Sequence, residues 1–183
     1  VARQYQITRD AQDEFAVGSQ NKAVAAMEAG RLDDEIVPIV VGGRKIERDG
    51  CVRSDTTAEG LANLKPAFDE GGTVTAGTSS PLTDGAAATL VCSEEYAERT
   101  GLKPLARIKS IAVAGCAPEI MGIGPVHATR KALERANLAI GDIDVTELNE
   151  AFASQALACM RDLDLDGAKV NLDGGAIAFG HPL

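Results

Sequence analysis

The chain is predicted to fold as a layered α/β protein, and two observations predict it. From about residue 93 onward, helix-type and strand-type patterns alternate, with Gly, Pro, Asn and Asp gathered where one gives way to the next. A hydrophobic fraction of 45% beside 25% charged residues is that of a soluble globular chain with apolar stripes to bury.

The first element is an amphipathic helix of about five turns. Ala11, Phe15, Ala16, Ala23, Ala26 and Met27 recur near a 3.6-residue period, Thr8 stands at the capping position, and Gly30 is a natural stop. The run "EIVPIVVGGRKIER" follows, with β-branched residues on both sides of Gly42-Gly43, a pair suited to a two-residue hairpin turn. Pro38 confines the first of these strands to an edge. In "TTAEGLANLKPAF" Thr56 and Glu59 have capping-box spacing, which predicts a short helix ended by Pro66. The Gly-, Ser- and Thr-rich "GTVTAGTSSPLTDGAAATLV" reads as a loop feeding a buried element, with an organisational change near 78–84.

The remaining segments make up the α/β alternation. Helices are expected at "SEEYAERTG", "GPVHATRKALERAN" and "EAFASQALACMRDL", and strands at "LARIKSIAVAG", "DIDVTELN" and "AKVNLDGG". On the last of the helices, Phe152, Ala156, Met160 and Leu163 share one face.

The same numbers exclude some functions. With 183 residues the chain holds one ordinary domain or parts of two. A net charge of −9, 3% aromatics and no tryptophan argue against a nucleic-acid surface, which needs a basic field and stacking platforms. No apolar run approaches the ~20 residues of a membrane span, and the opening "VARQYQITRD" lacks the layout of a secretory signal. Cys51, Cys92, Cys116 and Cys159 are widely spaced with no ligand pairing, so no metal site is expected and reduced thiols in the cytoplasm are.

Two places offer chemistry. Asn149, in "ELNEAF", falls where a strand pattern passes into a helix, at the edge of an α/β sheet where ligands bind. Its amide is either a donor to an oxyanion or the N-cap of the following helix, and local context favours the cap. His181, in "GGAIAFGHPL", precedes a proline that drives it out of helical conformation. It is either a loop histidine or a proton-handling group approached closely by ligand across the neighbouring glycines. Neither motif contains a nucleophile.

The blocks "GTVTAGTSSPLTDGAAATLVCSE", "MGIGPVHATRKAL", "ELNEAFASQAL" and "NLDGGAIAFGHPL", in this order, resemble the thiolases, and most of all the 3-ketoacyl-CoA thiolases of fatty-acid β-oxidation. The resemblance implies a thiolase-like layered fold, an αβαβα sandwich when complete. Residues 1–82 would be the later part of a loop domain, 83–103 a return to the N-terminal half, and 104–183 the incomplete start of the C-terminal half.

It also implies acyl transfer through a cysteine acyl-enzyme, with both family cysteines falling outside this stretch, so that the segment alone is inactive. His181 would activate the nucleophile and hold the thioester oxygen, and Asn149 would position an oxyanion-hole water. Met121 and Phe152 would border the acyl and pantetheine channel, Ser80 would lie near the pantetheine arm, and Arg53 near the nucleotide end. His127 stands where the family usually has a second proline, and is left outside the site.

Coenzyme A enters as a substrate, with no prosthetic group and no metal. A homodimer or homotetramer and a β-oxidation multienzyme partner go with the resemblance. The alternatives are a biosynthetic acetyl-CoA acetyltransferase, against which the wording "GTSSPLTDG" leans, and a non-catalytic CoA- or lipid-binding module.

Overall fold

The computed structural model describes residues 1–182; Leu183, the last residue of the Gly-His-Pro-Leu ending, lies outside them. Helix α1 spans Arg9–Glu28, and the Thr8 hydroxyl accepts from the Ala11 N–H at 3.2 Å, as its capping position requires. Gly30 then turns the chain at φ 69°, a left-handed value that glycine adopts without a Cβ clash.

The inner face of α1 is more polar than its apolar period implies. Ala16, Ala23 and Ala26 are buried, and so are Gln12, Asp13, Ser19 and Gln20. Several of these polar groups reach distant parts of the chain or are held by their own helix. Arg9 Nε donates to both carboxyl oxygens of Asp13 at 2.9 Å, Gln20 Nε2 donates to the Ile177 carbonyl at 3.2 Å, and Ser19 donates to Glu150 at 2.6 Å.

Strands β1 (Ile39–Val41) and β2 (Arg44–Ile46) pair antiparallel through Gly42 and Gly43, whose φ values of 57° and 79° are those of the expected hairpin turn. The hairpin stands in solvent on both faces. Helix α2 is Ala58–Ala62, and its cap is Thr57, one residue beyond the expected Thr56. Thr57 accepts from the Gly60 N–H at 3.1 Å, while the Thr56 hydroxyl instead donates back to the Arg53 carbonyl at 3.0 Å.

Helices α3 (Glu94–Thr100), α4 (Gly124–Ala136), α5 (Ala153–Leu163) and α6 (Ala176–Phe179) complete the described elements, joined by short 3₁₀ turns. α1 packs against α2, α5 and α6. Around α5 the core gathers Ile7, Ile123, Val126, Leu148, Ala156, Cys159, Leu163 and Val170. Ala156 and Leu163 are buried as expected, and Met160 is half-buried.

The predicted strands of the second half do not form ladders. Between 142–149 and 168–175 there is one parallel bridge, Thr146 to Val170, made by Thr146 N–H to the Lys169 carbonyl and Asn171 N–H to the Thr146 carbonyl, both 2.9 Å. Residues 105–115 make no backbone ladder among the described residues, although their pattern is that of a strand. The reason is physical: a strand is completed by hydrogen bonds from a neighbour, and here no neighbour faces them.

Side chains hold that segment instead. Arg107 pairs with Glu94, Ser110 donates to the Ala132 carbonyl at 2.7 Å, and Arg135 donates to the Ile111 carbonyl at 2.5 Å. The expected buried element within 82–92 is exposed as well, for the same reason.

Leu82, Leu90, Leu105, Ile108, Ile111 and Val113 are consequently all exposed, Leu105 completely. Apolar side chains beside unpaired strand-like backbone are a template for association. The 183-residue chain produced alone is expected to bind a hydrophobic dye and to self-associate with rising concentration. A dye-negative monomer in sedimentation would contradict this.

Candidate active site

Asn149 lies on the stretch between the Thr146 bridge and α5, and the helix begins only at Ala153, with Phe152 at its capping position. The N-cap reading of Asn149 is therefore overturned: its side chain is exposed and three residues short of that capping position. The amide turns to the other candidate, with Asn149 Nδ2 3.1 Å from His181 Nε2. An amide nitrogen has no lone pair to offer, so with Nδ2 as the donor of this contact Nε2 is its acceptor.

His181 is placed from the other side by α6, Gly180 and the backbone. Gly180 ends α6 at φ 102°, and a Cβ there would lie 2.3 Å from Thr83 Oγ1. The His181 N–H then donates to the Pro81 carbonyl at 3.2 Å. Two segments distant in sequence thus present one nitrogen each to the same space.

That space is a cleft of about 1130 Å³. It runs between the N-terminal residues, the 68–74 loop, the turn at 118–125 and the start of α5, with Asn149 and His181 at its wall. Its apolar lining includes Ile7, Phe68, Val74, Met121 and Phe152, and the rings of Phe68 and Phe152 meet edge to face at 5.8 Å.

Four of the six residues expected at the site therefore line one cleft: His181, Asn149, Met121 and Phe152. Ser80 is adjacent but turned aside, its N–H and hydroxyl both donating to the Ala151 carbonyl at 3.1 and 3.3 Å. Arg53 is not brought there; its backbone N–H is held by Gln20 Oε1 at 2.8 Å and its side chain is exposed. His127 is exposed on α4 and does not border the cleft.

No cysteine lines the cleft among the described residues. Cys159 is fully buried, its thiol against the Gly122 carbonyl at 3.2 Å, and burial pushes that thiol up, with the negative charge of Asp162 acting in the same direction. Its chemistry is that of a core residue.

Sequence reasoning missed Glu150. It is 1% exposed, yet sits in the same "ELNEAF" stretch as a residue at the cleft wall. Ser19 Oγ, Asn171 Nδ2 and the Ile177 N–H donate to its two carboxyl oxygens at 2.6, 2.8 and 3.1 Å. The signal that pointed to it was the Gly174-Gly175 pair: a Cβ on Gly175 would fall 2.3 Å from Glu150 Cδ, and one on Gly174 2.7 Å from the Ser19 carbonyl oxygen.

Comparison with known proteins gives this arrangement a class. Residues 1–95 match the thiolase N-terminal domain and residues 102–183 the thiolase C-terminal domain. The acetyl-CoA acetyltransferase of Shinella zoogloeoides is 55% identical over 187 residues, covering 100% of this chain and 48% of that protein. The 3-ketoacyl-CoA thiolase of Marinobacter nauticus is also 55% identical, over 192 residues, covering 100% of this chain and 49% of that protein. A crystal structure of human mitochondrial 3-ketoacyl-CoA thiolase in complex with CoA superimposes at a TM-score of 0.96 with 47% identity, over 99% of this chain and 46% of that one.

The chain belongs to the thiolase family. It spans about half the length of the curated relatives it matches.

Two outcomes are expected. Gly175→Ala should destabilise the protein by about 1–3 kcal/mol in thermal or denaturant unfolding, because a buried carboxyl group has to move to admit the methyl. In thiol labelling at neutral pH, exposed Cys92 should react readily, and Cys159, which is buried and whose thiol burial pushes up, much more slowly. Equal rates at neutral pH would contradict the second.

Proposed function

We propose that this chain supplies the histidine and asparagine of a thiolase active site, and that the whole protein transfers acyl groups to and from coenzyme A through a cysteine acyl-enzyme. The observation that carries the reading is the 3.1 Å approach of Asn149 Nδ2 to His181 Nε2 at the wall of the cleft. Its support from comparison is the thiolase match on both sides of residue 100.

The geometry fits the chemistry. Once an attacking thiol displaces the Asn149 amide from it, the Nε2 lone pair takes the proton of that thiol; once protonated, the same nitrogen donates to an oxygen that gains negative charge. Asn149 Nδ2 stands beside it as a second donor, directly or through a water, to that oxygen.

The nucleophile is a cysteine outside this stretch of sequence. Its thiolate attacks C3 of a 3-ketoacyl-CoA, the C2–C3 bond breaks, and the carbanion at C2 is protonated to give acetyl-CoA. A second CoA thiol then displaces the shortened acyl group, returning the cysteine thiol. The apolar cleft beside Met121 and Phe152 suits an acyl chain or a pantetheine arm.

Of the two directions, we favour degradative thiolysis of longer 3-ketoacyl-CoA in fatty-acid β-oxidation, on the wording "GTSSPLTDG". A specific observation favours the second reading: a relative named acetyl-CoA acetyltransferase is as similar as one named 3-ketoacyl-CoA thiolase, both at 55%. With the favoured reading go residues 1–82 as the later part of a loop domain, 83–103 as a return to the N-terminal half and 104–183 as the incomplete start of the C-terminal half, a homo-oligomer, and a cytoplasmic setting.

In the full-length protein carrying this sequence, His181→Ala is expected to lower kcat about 100- to 10,000-fold, and Asn149→Ala about 100- to 1,000-fold. Steady-state thiolysis of a 3-ketoacyl-CoA chain-length series measures both claims. Cleavage extending beyond four carbons supports the degradative reading. Activity confined to acetoacetyl-CoA would transfer the assignment to the condensing enzyme.

A further inference from the structure

We propose that Glu150 is a positioning residue: a buried acceptor that fixes the Asn149 segment and the His181 segment to one another through α1. The inference rests on the proposed function of the Asn149–His181 pair, and it names a residue on which that pair's spacing depends.

The argument begins with burial. Glu150 is 1% exposed, and a carboxyl group removed from water is stable only where donors surround it. Each donor here is fixed in its role by another bond. Asn171 Oδ1 accepts from the Leu148 N–H at 2.7 Å, so its Nδ2 is the group that donates to the Leu148 carbonyl and to Glu150 Oε1, both at 2.8 Å. Ser19 Oγ accepts from the Gly175 N–H at 3.1 Å, which leaves its hydrogen for Glu150 Oε2 at 2.6 Å. The Ile177 N–H, a donor by nature, reaches the same Oε2 at 3.1 Å. All three groups donate in this arrangement, so the site fits a group with two acceptor oxygens.

Position supplies the second half. Glu150 directly follows Asn149 in the chain, and Ile177 lies in α6, whose end leads through Gly180 to His181. Gly175 has no side chain in the space that Glu150 fills. The carboxyl group is therefore the fastening between the two strands of chain whose side chains meet at 3.1 Å. Asn149 is itself exposed, so burial of its own side chain does not fix that spacing.

E150Q tests this in the full-length protein. It keeps shape and volume but places an NH2 against at least one of three fixed donors. The expected result, normalised to the folded fraction by circular dichroism, is a fall in thiolysis kcat of about 10- to 100-fold with KM for the acyl-CoA changed less than about twofold, as for a misplaced catalytic group. A second readout is the His181 imidazole resonances in 15N-histidine-labelled protein, identified by their loss in an H181N variant; the Nε2 signal should move in E150Q.

If E150Q does not fold, S19A decides. It removes one of the donors and leaves the carboxyl in place, and it is expected to move the Nε2 signal and lower kcat about 3- to 10-fold. A folded E150Q, or failing that a folded S19A, with a lowered melting temperature but unmoved kcat and unmoved His181 signals would overturn the positioning role. If the wild-type protein shows neither thiolysis nor condensation, the functional reading fails by itself; the imidazole signals then still report whether Glu150 sets the pair.

Discussion

The arrangement depends on how a carboxyl group buried away from water is satisfied. Glu150 gathers Ser19 from α1, Asn171 from the segment after the single parallel bridge, and the Ile177 N–H from α6. Those elements are more than a hundred residues apart at the extremes, and apolar packing alone would hold them with less directional precision than hydrogen bonds. The unusually polar inner face of α1 makes sense in this light. A helix at the centre of the molecule carries Ser19 and Gln20 inward because the segments around it need acceptors and donors, not only apolar area.

The cleft follows from the same frame. With α1, α5 and α6 fixed around Glu150, the turn before α4 and the N-terminal residues close the far wall, and the edge-to-face contact of Phe68 with Phe152 joins the 68–74 loop to the start of α5. Asn149 and His181 border this space from two separate segments, so their mutual approach is a tertiary feature. On the proposed function, an amide donor beside an imidazole nitrogen at a mostly apolar wall suits the holding of oxygen charge.

Helices were legible in the sequence because their signals are local. Thr8 and Gly30 marked ends that the structure reproduces, and Gly42-Gly43 marked its hairpin. The strands at 105–115, 142–149 and 168–175 were read from local pattern, but a strand is finished by a partner, and pattern alone does not say whether one is present. His181, Asn149, Met121 and Phe152, singled out through ordered motifs, line one cleft, whereas the local capping argument for Asn149 pointed the wrong way. Thr57 and Phe152 show why: capping position is set by where the helix starts, and a one- to three-residue error moves the role to another side chain. Glu150 escaped notice because an acidic residue just before a helix usually lies in solvent, and only its tertiary contacts with Ser19, Asn171, Gly175 and Ile177 show otherwise.

The central claim is that Asn149 and His181 act as one unit, and a double-mutant cycle in the full-length protein tests it most directly. Thiolysis rates would be measured for N149A, H181A and the double variant under one set of conditions. If the pair works together on one oxygen, the double variant will be about as slow as the slower single variant, because either loss already disables the unit. If the two effects multiply, the residues act independently, and the 3.1 Å contact has no bearing on catalysis.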